Sequence, residues 1–162
     1  MWNFSVENAG EIVEGVLEYR TKEHSIDFVR LPRLDGLPHD GSKDMASISL
    51  GTLQIEVDVK TRRLLYVWGY FPDSAWQRCS LEPPEMERAS LLIESPLPQL
   101  SRGVAVQYNA ASSWFVAYDE LGGWLYFGDG NHGQRTILFA TGTAVSSAED
   151  KILGLWLRPL VV

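Results

Sequence analysis

Two loops hold the residues best suited to chemistry. The first is Gly128-Asp129-Gly130-Asn131-His132-Gly133-Gln134-Arg135. Its three glycines let backbone approach a ligand closely, and its side chains supply acceptors, an acid/base and a cation. A calcium loop needs further oxygen ligands at alternate positions, and Asp129 and Asn131 stop after two. A phosphate loop needs Lys-Ser/Thr opening a helix, whereas Thr136-Ile137-Leu138-Phe139 reads as a strand. The second runs from Pro72 to Pro84 and, with the residues that follow it, sets Trp76 near Glu82, Glu85 and Glu87. A Trp in a polar loop is either a lid over the core or a recognition anchor, and acids around it steer a basic partner. The expected partner face is therefore Asp73, Trp76, Glu82, Glu85 and Glu87, with Asp129, His132 and Arg135 as a second contact. The competing reading is a plain hairpin tip plus a solvated helix capped by Pro83-Pro84.

No catalytic residue, metal ligand or cofactor site is expected anywhere in the chain. His24, His39 and His132 show no metal-ligand spacing, and His24 falls in a hairpin turn. The chain has one cysteine, Cys79, and its neighbours form no nucleophile signature. There is no Gly-x-Ser-x-Gly elbow, Cys-x-x-Cys pair or dinucleotide fingerprint. Glu56 and Asp58 lie roughly 7 Å apart on one strand, which fits a glycosidase pair only inside a cleft. Alternation alone explains them as a solvated face.

The elements that must carry these loops are strands. Leu53-Gln54-Ile55-Glu56-Val57-Asp58-Val59 alternates with period two, so one face is buried and one wet. Leu64–Tyr70 returns as its hairpin partner and is apolar on both faces, which predicts a sheet interior. Trp114–Tyr118 and Trp124–Phe127 form a second hairpin around Gly122-Gly123. Thr136–Ala140 or Thr143–Val145 pairs with Ile152–Leu157. Ser25–Leu31 reads as a strand and Glu11–Tyr19 leans the same way, while residues 32–43 are a long loop. Glu85–Ile93 reads as a short helix with acids in its first turn. Residues 89–118 carry only two charges and are expected to be buried. The cadence of the hairpins is too loose to define a repeat. The expected architecture is one mainly β domain over 1–162, an antiparallel sandwich or curled sheet/barrel of about nine strands with one or two short helices. Most tryptophans are expected in the core.

The whole chain narrows the function classes. It has 162 residues, 14 basic against 21 acidic, for a net charge of −7. That field disfavours nucleic acid and favours a basic protein partner. No apolar run is long enough to span a bilayer as a helix, and the first seven residues do not read as a secretory leader. The single cysteine fits a reducing cytoplasm. A monomer or weak homo-oligomer is expected.

Gly123-Trp124-Leu125-Tyr126-Phe127-Gly128-Asp129-Gly130, a strand that empties into an acidic Gly-rich loop, is similar to runs in some immunity proteins of bacterial toxin systems. The small, acidic, cysteine-poor chain resembles those proteins too, over about a fifth of its length, and no functional residue carries over by motif. The resemblance implies a protein-binding inhibitor of a toxin. The alternative is a small-ligand binder or enzyme with a β-barrel pocket lined by Tyr66, Trp68, Tyr126 and Trp156.

Overall fold

The computed structural model describes residues 3–31, 44–94, 100–131, 133–148 and 151–162. The loop expected at 32–43 and His132 lie outside the described residues. The N-terminal part gives β1 (Phe4–Glu7), β2 (Gly15–Arg20), β3 (Ser25–Arg30), β4 (Met45–Leu50), β5 (Leu53–Asp58) and β6 (Leu64–Tyr70). A middle segment gives β7 (Gln77–Arg78), β8 (Glu87–Arg88), β9 (Ser90–Ile93) and β10 (Ala105–Gln107). The C-terminal part gives β11 (Phe115–Asp119), β12 (Trp124–Gly128), β13 (Arg135–Ala140), β14 (Thr143–Ala148), β15 (Lys151–Leu157) and β16 (Leu160–Val161). Two short 3₁₀ turns, Asp73–Ala75 and Asn109–Ser113, are the only helical pieces among the described residues.

The fold is mainly β, with several sheets. One seven-stranded sheet has the order β10-β4-β5-β6-β3-β2-β16, a second has β7-β11-β12-β15-β14-β13-β8, and β1 pairs with β9. Both large sheets are open, so the barrel expectation is corrected: neither sheet joins its own edges. Sixteen strands exceed the nine expected, and four of them are only two or three residues long. These four, β7, β8, β10 and β16, all pair parallel with an edge. Short edge strands blunt a sheet against further pairing.

The two sheets are built alike. Strands β2 to β6 take the spatial order first-second-fifth-fourth-third, and strands β11 to β15 take that same order. Both opening hairpins close through four-residue turns whose last residue has positive φ, His24 at 53° and Gly123 at 77°. The halves also exchange edges: β7 follows β6 but pairs with β11, and β16 follows β15 but pairs with β2. The loose hairpin cadence of the sequence is thus a topological repeat.

Alternation explains the core. Leu53, Ile55 and Val57 from the first sheet share one buried cluster with Leu125, Phe127, Ile137 and Leu155 from the second. Trp76 packs at the junction, 4.7 Å from the Tyr19 ring, 5.1 Å from Tyr118 and 5.8 Å from Phe71. By hairpin register Tyr19 and Tyr118 are equivalent, since each precedes the residue that closes its turn.

Two further expectations are corrected. Glu85–Ile93 is not a helix: its backbone is drawn into pairing by β13 and β1, with the Ala89 N–H donating to the Leu138 carbonyl at 3.2 Å. Residues 101–107 are mostly exposed, because β10 lies on an edge. Tryptophans also divide: Trp156 is fully buried, while Trp68 is exposed.

Val57 is fully buried between the sheets. Val57→Asp is expected to cost on the order of 3 kcal/mol or more, by burying an unpaired charge. Thermal melting checks this, and an unshifted midpoint would contradict the buried face assigned to β5.

Candidate functional site

The outer faces of the two sheets carry related side-chain networks under different cover. In the second sheet the Trp156 Nε1–H donates to Ser146 Oγ at 3.1 Å, and Ser146 Oγ shares a hydrogen bond with Thr136 Oγ1 at 3.0 Å. In the first sheet the Trp68 Nε1–H donates to Glu56 Oε1 at 2.7 Å, and Ser47 Oγ donates to that same oxygen at 2.7 Å. The positions correspond strand for strand. Ser146 pairs with Thr136 and Gly154, and Glu56 pairs with Ser47 and Tyr66, each two residues before its tryptophan.

The second face is closed by the chain itself. Residues 79–86 run from β7 at one edge to β8 at the other and lay Leu81 and Met86 on Ala117, Tyr126, Ala144 and Trp156. Six inter-strand spacings separate those edges, about 29 Å, and the steps from Arg78 to Glu87 reach about 30 Å when extended. A crossing of this width leaves this strap no room for a helix between the two edges. Pro83-Pro84 suits it, because proline favours an extended backbone and leaves no N–H to satisfy. Beneath it, Tyr126 lies across Gly154; a Cβ on Gly154 would sit 2.7 Å from the ring.

Both ends of the strap are pinned by carboxylates. Asp119 accepts N–H groups from Leu81, Leu121 and Gly122, each at 3.2 Å. The Gly122 and Leu81 amides hold its carboxyl below the usual range. At the far end Arg135 donates to both oxygens of Glu87, at 2.7 and 3.1 Å. That hydrogen bonding lowers the Glu87 carboxyl and raises the Arg135 guanidinium.

The first face has no such strap among the described residues. Trp68 is 38% exposed and Tyr70 52%, whereas Trp156 has no exposure. β3 and β6 pair over only two residues, and Phe28 stacks on Tyr66 at 5.4 Å beside the opening. The result is a groove of about 490 Å³ whose lining includes Asp27, Phe28, Ser47, Gln54, Glu56 and Trp68. Among the described residues that line it are two carboxylates and no basic side chain. Among the described residues Glu56 uses only Oε1, and Asp27 uses only Oδ2, toward Ser25 and Arg20.

The residues expected from sequence to form one partner face are spread out. Asp73 and Trp76 lie beside β7, and Trp76 is half-buried against the core. Burial first, then the Asp73 charge, raises the neighbouring Tyr19 phenol. Glu82 is exposed on the strap. Glu85, Glu87 and Arg135 do meet, around a groove of about 470 Å³ beside β8. Asp129 accepts the Asn131 N–H at 2.8 Å, and Tyr126 Oη accepts the Gly130 N–H at 3.1 Å, so the Gly-rich loop is braced internally. Burial raises the Tyr126 phenol.

The carboxylate pair on β5 is likewise not a solvated face. Asp58 is buried and caps its turn by accepting the Lys60 N–H at 3.1 Å and the Thr61 hydroxyl at 2.7 Å. Tyr66 and Trp68 belong to one sheet and Tyr126 and Trp156 to the other, so these rings line no common barrel mouth. Cys79 is a free, exposed thiol. The described residues hold no cluster of ligands fit for a metal and no helix able to cross a membrane. Sequence reasoning named Trp68 as a pocket residue and Glu56 as half of a solvated carboxylate pair, but did not join the two. The available signal was an indole on the wet side of a strand apolar on both faces. No protein-family model matches the chain, and neither does any curated protein.

The lowered Asp119 and Glu87 carboxyls give the strap a pH dependence. Their anchoring is complete above the ordinary carboxylate range, near pH 4, and is lost as pH falls through their lower folded values. Acidification below about pH 4 is expected to red-shift tryptophan emission as Trp124 and Trp156 meet water. Asp119→Asn with Glu87→Gln should flatten that acid-side change. An identical acid profile in the double variant would show that other groups hold the strap.

Proposed function

We propose that the chain is an acidic protein-binding module of the immunity type, which docks on a basic partner protein through the open face of its first sheet and blocks it. The observation that carries this reading is the pairing of exposed Trp68 and Tyr70 with the under-used carboxylates of Glu56 and Asp27. An aromatic anchor in a desolvated centre supplies binding energy, and acids around it speed encounter with a basic surface. The filled core supports the same reading: the two sheets meet through fully buried side chains such as Ile55, Leu65, Leu125 and Leu155. A cytoplasmic inhibitor that binds as a monomer fits the charge and the lone cysteine.

A second reading keeps the face expected from sequence. Glu85, Glu87 and Arg135 do converge beside β8, although Glu87 and Arg135 already neutralise each other.

The test is a binding screen against the products of neighbouring genes, with titration calorimetry at low and high salt on any complex found. The expected outcome is a stoichiometric complex that suppresses the partner's activity and weakens with salt. Trp68→Ala should weaken it at least about tenfold while circular dichroism shows the fold retained, and Glu85→Lys with Glu87→Lys should leave it intact. Loss in the Glu85/Glu87 variant alone would move the site to the β8 groove. Absence of any partner, or turnover of a small molecule, would overturn the reading.

A further inference from the structure

The two outer faces differ in one informative way. The second sheet's network is neutral, Thr136-Ser146-Trp156, and the segment covering it is acidic, with Glu82, Glu85 and Glu87. The first sheet's network carries its own carboxylate, Ser47-Glu56-Trp68, with Asp27 beside it. Acid has moved from the cover to the sheet. Resting on the protein-binding reading above, we propose that the groove over Trp68 takes an extended, basic segment of a partner protein, lying across the sheet as residues 79–86 lie across the second.

Three features define that segment. It crosses strands rather than adding to an edge, because the edge strands of the first sheet, β10 and β16, are only three and two residues long and offer little backbone to pair with. It carries a bulky aliphatic side chain, because Leu81 and Met86 are what the cluster around the equivalent tryptophan, Trp156, receives. It carries Lys or Arg, because Glu56 Oε2 and Asp27 Oδ1 take no hydrogen bond from any described residue. Glu56 is 8% exposed, so a cation that reaches it meets a charge already partly removed from water, where pairing is stronger than on an open surface. The covering strand of the second face also explains the length: about ten residues cross a sheet of this width.

The probe is a synthetic peptide of residues 79–88 with Glu82→Lys, Glu85→Lys and Glu87→Lys, compared with the unaltered acidic peptide. Each is titrated into the full chain and followed by calorimetry and tryptophan emission. The basic peptide is expected to bind at least about tenfold more tightly than the acidic one, and to weaken as salt rises. Trp68→Ala and the isosteric Glu56→Gln should each reduce its affinity about tenfold or more. Equal affinity for both peptides, no binding of either, or full affinity in the two variants overturns the proposal. So does Trp68-dependent dimerisation of the free chain, which would make a second copy the occupant. A folded partner that depends on Trp68 while the basic peptide fails would sink the extended-segment inference alone. A partner indifferent to Trp68 would sink the protein-binding reading of this face.

Discussion

The exchange of edge strands between the two halves is the constraint from which the rest of the molecule follows. β7 leaves the first half to pair with β11, and β16 leaves the second to pair with β2. Each sheet is therefore completed by chain from the other half. Trp76, set between Tyr19 and Tyr118, locks the crossing with three aromatic neighbours. Aromatic contacts of this kind add to the burial they bring. Once β7 is delivered to one edge of the second sheet, the chain must cross that sheet to reach β8. The strap is the direct consequence, and it lays Leu81 and Met86 on the second sheet.

That path makes two similar faces unequal. A carboxylate at Ser146 would be sealed beneath Leu81 and Met86 with no counter-charge, which costs several kcal/mol. A hydroxyl satisfies the Trp156 indole there without that cost. At the equivalent place in the first sheet Glu56 accepts the Trp68 indole N–H through Oε1, and its other oxygen takes no hydrogen bond from a described residue. The choice of Ser against Glu thus tracks cover against opening. The proposed docking surface lies on the open face because, among the described residues, that face presents an exposed indole beside carboxylate oxygens that take no hydrogen bond.

Much of this was legible in the sequence, for stated reasons. Period-two alternation located β5 and β6, and Gly122-Gly123 located the turn of β11 and β12, because these signals are local. The four edge strands were not legible, since two or three residues carry no period, and their pairing is decided by the sheets they meet. Glu85–Ile93 reads as a helix by composition, yet β13 and β1 offer its backbone better partners. The alternation of β5 put Glu56 and Asp58 on the outer side correctly, but alternation does not report cover. Asp58 is buried by its own turn and Glu56 by Trp68. The strap residues Glu85 and Glu87 were singled out with Arg135, and the structure does bring them together. Trp76 was ambiguous between lid and anchor, and its half-buried place against the core gives it packing work that a loop sequence does not reveal.

The central claim is that one outer face is open and its counterpart is sealed by the strap. Oxidative footprinting of the free chain, read by mass spectrometry at each tryptophan, tests it most directly. Trp68 is predicted to be modified readily and Trp156 to stay protected, with Trp156 becoming reactive once Leu81→Asp and Met86→Asp unseat the strap. Equal protection of Trp68 and Trp156 in the free chain, or a Trp156 reactive while the strap is intact, would contradict the account.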